Sequence, residues 1–144
     1  MHQRDQQSDV RTLELSELDA LLRRDCLSRG SRGEVFRTPE HLLPNRWEVI
    51  ERIFAKHGHF PPPELDIVYG SAFFGSLIPT TGKLYINCVF YDCDFEEPHG
   101  HFELVSNFLE GCEAGWHRLG AAILERRSPG RLVGNVAVPI GGIA

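Results

Sequence analysis

Cys88, Cys93, His99, His101, Cys112 and His117 fall within 30 residues of one another. Thiolates and neutral imidazoles bind zinc when four of them meet in a tetrahedron. The spacing Cys-x4-Cys-x5-His-x-His departs from the usual zinc patterns, Cys112 belongs to an apolar stripe, and Cys88 shares a strand face with Leu84 and Ile86. The expected metal ligands are His99, His101, Cys93 and His117, and a subset of His99, His101, Glu103 and His117 is the better candidate because Glu103 and His117 fall on the polar side of the helix expected there. Zinc is the cofactor such a site would hold, in a metal-dependent enzyme or a metal-stabilised domain. That is the alternative reading; the leading one carries no cofactor.

Other catalytic patterns are incomplete. Gly70-Ser71-Ala72 and Gly75-Ser76-Leu77 lack the second glycine of a nucleophile elbow. Gly82-Lys83 is followed by Leu84, and the front glycine of a phosphate loop is missing. Cys93 would need His99 or His101 beside it to act as a thiolate nucleophile. Cys88-Val89-Phe90 and Cys93-Asp94-Phe95 repeat after five residues, which resembles the coils of pentapeptide-repeat proteins. Two units fall short of the three or so that a solenoid needs to bury its core, so the adopted reading is an aromatic-rich strand running into an acidic loop.

Charge points to partners. The chain of 144 residues has a formal charge of -5, yet residues 60–113 hold nine Asp or Glu against the single base Lys83. The same segment contains ten of the fourteen aromatic residues. Aromatic anchors supply binding energy at interfaces, and surrounding carboxylates speed encounter with a cationic surface. The expected function is a small acidic cytosolic protein-binding module of the inhibitor, immunity or adaptor type that engages a basic partner protein. Its expected contacts are Tyr91, Asp92, Asp94, Phe95, Glu96, Glu97, Phe102 and Glu103. Nucleic acid is not the expected partner: Arg23, Arg24, Arg29, Arg32 and Arg37 make a basic loop, but on an acidic body. No apolar run reaches the ~18 residues of a membrane span, and the four cysteines read as reduced thiols of a cytoplasmic protein.

These residues must be held by a scaffold, and the pattern predicts an α+β fold. Residues 1–11 read as a disordered lead-in, 12–138 as a single domain and 139–144 as a frayed tail. Two N-terminal helices are expected. One spans about 16–25. The other is capped by Asn45 and Glu48, carries the stripe Trp47, Ile50, Ile53 and Phe54, and ends at His57 and Gly58. The runs at 65–69, 72–78 and 83–95, with an edge strand at 133–138, predict a three- to four-stranded, mainly antiparallel sheet. The third run is apolar on both faces, which implies cover on both sides or a contact between subunits of a homo-oligomer. Phe102, Val105, Leu109, Cys112, Trp116, Leu119 and Ile123 are spaced alternately by three and four, which predicts one long amphipathic helix packed on that sheet.

Overall fold

The computed structural model describes residues 10–12, 35–37, 46–58 and 63–139. The expected helix at 16–25 lies outside them, as does most of the arginine loop. The second helix forms where expected: α1 spans Arg46–His57, with Ile50 and Phe54 buried but Trp47, expected in the same stripe, exposed. His57 sits in its last turn, and Gly58 takes φ 66° just beyond it.

The mainly antiparallel sheet is not what forms. From residue 66 the chain winds as a β-solenoid whose ten strands build three parallel sheets. The first coil consists of β3 (Asp66–Tyr69), β4 (Ser71–Phe74) and β5 (Leu77–Ile78). The second repeats it with β6 (Lys83–Ile86), β7 (Val89–Tyr91) and β8 (Asp94–Phe95). In the third, β9 (Phe102–Val105) and β10 (Phe108–Glu110) lead into α2 (Glu113–Leu124) where the third side would be, and β11 (Gly130–Val133) and β12 (Val136–Val138) follow. One sheet has the order β3-β6-β9-β11 and a second contains β4-β7-β10-β12, while β5 pairs with β8. The short strands β1 (Val10–Thr12) and β2 (Val35–Arg37) extend the second sheet, and among the described residues only the β2–β4 pairing is antiparallel.

The corners explain why these residues coil. Gly70, Asn87, Ser106 and Gly134 share positive φ at the first corner, and Gly75, Asp92 and Gly111 at the second. Glycine, asparagine and aspartate tolerate this left-handed region best. Within a coil the two corners are five residues apart, so interior positions advance by steps of two and three: Tyr85, Cys88, Phe90, Cys93 and Phe95 in the second coil, then Phe102, Leu104, Asn107, Leu109 and Cys112 in the third. Apart from Asn107 these form one buried cluster. Phe73 and Phe90 stack through it at 5.0 Å, with Tyr85 edge-on to both.

The long helix expected from residue 102 is therefore shorter. Residues 102–110 are strand, and Cys112 is the N-cap of α2. Two-sided cover of the 83–95 run does occur, but across separate strands. Leu84 and Ile86 lie against Ile50 and Phe54 of α1, while Ala72, Phe74, Val89 and Tyr91 form a second buried patch. The expected strand at 133–138 is likewise two strands broken at Gly134, and Pro139 follows the last.

Candidate functional site

The thiols are corner residues. Cys88 Sγ donates to the carbonyls of Val68 and Ile86, Cys93 Sγ to those of Phe73 and Tyr91, and Cys112 Sγ to those of Phe90 and Glu110. Ser76, in the same column as Cys93, donates its hydroxyl to Phe74 O at 3.1 Å. Burial pushes the Cys88 thiol up to about 12. In the Cys93–Cys112 pair, the hydrogen bond with Cys93, reinforced by burial, raises Cys112 well above the ordinary thiol range. The column of Cys88 continues as asparagine. Asn107 Oδ1 accepts from Cys88 N–H at 2.8 Å, and its Nδ2 donates to Tyr85 O and Asn135 Oδ1, each at 2.9 Å.

The expected metal ligands are dispersed. Cys93 is buried in the coil interior. His99 is exposed in the 96–101 connection, its backbone N–H bonded to Thr81 Oγ1. His117 sits on α2 facing two surface grooves. His101 pairs with a single carboxylate, its Nε2 2.8 Å from Glu103 Oε2. Among the described residues no three His, Cys, Asp or Glu side chains group as ligands for a metal ion.

The expected partner contacts separate into two kinds. Tyr91, Phe95, Phe102 and Glu103 are buried: Phe95 and Phe102 fill the coil, Tyr91 stacks on Phe74 at 5.3 Å outside it, and Glu103 holds His101. Asp92, Asp94 and Glu96 are exposed and Glu97 half-buried. Arginines of α2 and the segment after it meet part of this charge. Arg118 bonds the Asp94 carboxylate and Phe95 O, and Arg127 bridges Glu97 and Glu125. Slight burial works against ionisation of Asp94, but the hydrogen bonds from Arg118 and Phe95 N–H and the guanidinium charge outweigh it and hold its carboxyl below the usual range.

Sequence reasoning missed the open end of the solenoid, although Trp116 was legible as part of a stripe. β11 and β12 are the last strands of their sheets. Beside them α2 leaves two grooves. One, of about 630 Å³, runs along Trp116, Gly120, Ile123, Leu124 and Leu132. The other, of about 260 Å³, is lined by Leu109, Glu113, Trp116, His117, Ala137 and Val138. Leu124 is 84% exposed and Val136 54%. A third cavity, of about 480 Å³, opens beside His101, Glu103, Arg126 and Arg131.

Comparison with family models, curated proteins and solved structures finds no match for this chain. No helix among the described residues is long and apolar enough to cross a membrane.

Proposed function

We propose that this protein is an acidic protein-binding module, of the inhibitor, immunity or adaptor kind, that engages an extended segment of a basic partner at the open end of its solenoid. The observation that carries the reading is β12, an edge strand flanked by an apolar groove. An unpaired strand edge is a template for another strand: backbone bonds supply affinity, and adjoining pockets select side chains. Trp116, Ala137 and Val138 give that groove an apolar floor, and the exposed Glu113 stands on its rim. The net charge of -5, with Asp92 and Glu96 exposed, favours a cationic partner and faster encounter with it. Tyr91, Phe95 and Phe102 contribute through the scaffold that holds this edge. The expected compartment is the cytoplasm, whose reducing poise suits the three buried free thiols.

The test is site-specific photo-crosslinking in the source cells, with the probe at Val136 and, as control, at the exposed Lys56 of α1. The reading expects an adduct with a basic protein from position 136 alone, weakened when cell extract is cross-linked at high salt. Adducts of equal yield from both positions, a salt-insensitive adduct, or an adduct only with a second copy of this chain would overturn it.

A further inference from the structure

The cavity beside His101 draws on the start of β9, the start of β11 and the segment that follows α2, and it shares Ile123, Gly130 and Arg131 with the larger groove along Trp116. Its lining combines an imidazole, a buried carboxylate and two guanidinium groups. The other arginines with described side chains, Arg52, Arg118 and Arg127, are in ion pairs. Arg126 and Arg131 have no ion-pair partner among the described residues, in a chain where carboxylates outnumber bases, and both line this one cavity.

Arg126 is also an unusual residue for its backbone. It follows the end of α2 at φ 58°, in the left-handed position where glycine is the common choice. Its N–H bonds Ile123 O at 3.0 Å and Arg127 N–H bonds Ala122 O at 2.8 Å, the pattern of a helix stop that glycine would make with less strain. Backbone strain of this kind clusters at ligand sites. Across the cavity His101 is oriented by Glu103, which is fully buried. With Nε2–H donated to that carboxylate, the neutral ring presents Nδ1 as an acceptor, open to a hydroxyl of a ligand.

We infer that this cavity binds the oxyanion of a small metabolite, a phosphate or carboxylate group gripped by Arg126 and Arg131. Guanidinium groups match both anions through paired N–H donors, and a volume of about 480 Å³ accommodates a ligand of metabolite size. The site shares no lining residue with the β12 groove and is independent of strand docking there.

The experiment is calorimetric titration of the full chain with inorganic phosphate and, separately, with malonate, at low and constant ionic strength. Saturable binding of either is expected, the anion preferred identifying the source chemistry. Arg126→Gly and Arg131→Gln should each weaken it about tenfold or more, the consequence of losing a charge-assisted hydrogen bond. Arg52→Gln should leave it unchanged. The glycine variant separates binding from folding: without anion it should melt at the same temperature as the parent or higher, since glycine suits that backbone. No saturable binding of either anion, or equal affinity in the parent and Arg126→Gly, overturns the inference.

Discussion

Asn107 and the corner thiols do the same work with different atoms. Each satisfies backbone groups left over where a strand ends and the chain turns, which is why serine, cysteine and asparagine alternate in two columns through the coils. Asn107 is 4% exposed and serves both Cys88 N–H and Tyr85 O. Asn107→Leu would leave two buried polar groups without that partner, at about 1–3 kcal/mol each, so a loss of about 2–5 kcal/mol is expected in urea unfolding. Cys112→Ser should cost less than about 1 kcal/mol, because a hydroxyl can donate to the carbonyl two residues back, Glu110 O, as Ser76 does to Phe74 O in the same column. The thiols also make stability depend on pH. With its folded value pushed up to about 12, against an ordinary thiol at about 8.5, Cys88 keeps a proton that the unfolded chain releases. Its contribution is thus complete below about pH 8.5 and lost as pH climbs toward the folded value, at up to about 1.4 kcal/mol per pH unit. Urea midpoints should fall from pH 9 to pH 11, with a shallower fall in Cys88→Ser.

Helix α1 was legible at the level of elements because its signals are local: a cap, a buried stripe of period 3.6 and a glycine stop. The solenoid was not, for a physical reason. Its interior positions advance by two and then three, and both surfaces of its sheets are covered, so apolar letters fall inside and outside alike. A stripe of threes and fours can be drawn through such a run, and the one through Phe102, Val105, Leu109 and Cys112 joins residues whose side chains point to different sides of a strand. The five-residue repeat of Cys88 and Cys93 was the true signal. It continues as Asn107 and Cys112 and begins as Ser71 and Ser76, but substitution within the columns hid it. Uneven coil lengths hid the rest: Asp66 pairs with Lys83, Leu84 with Glu103 and Phe102 with Gly130, advances of 17, 19 and 28 residues. From residue 113 the stripe does become a helix, and Gly115 seats it. A Cβ there would stand 2.7 Å from Phe95 Cδ2 and 2.9 Å from Phe95 N, whereas at Gly120 nothing lies within 4 Å. Gly115→Ala should therefore destabilise by about 1–3 kcal/mol through overpacking, while Gly120→Ala should stabilise by up to about 1 kcal/mol through helix propensity. Thermal unfolding of the pair measures whether α2 is held by that close approach.

For the molecule as a whole, the acidic segment was legible as composition and not as a surface. Its aromatics were counted as anchors because charge and ring content coincide in the sequence, but a coil three short strands around needs large side chains inside it, and Phe90, Phe95 and Phe102 meet that need. Part of the acidity is met by Arg118 and Arg127, which arrive from residues beyond the acidic run and could be matched to it only once α2 folds back on β8. Among the described residues, what the winding leaves uncovered is its last coil, since each coil of a solenoid is protected by the next. Stability should grade accordingly along the axis. Amide hydrogen exchange of the isolated chain should be slowest across β6, β7, β9 and β10, each flanked by strands on both sides, and fastest in the described sheets at β12, whose Val136 and Ala137 are exposed. A basic partner that docks as proposed should slow exchange at residues 136–138 above all. If those amides are already as protected as β7 in the isolated chain, the end is closed and no strand can dock there.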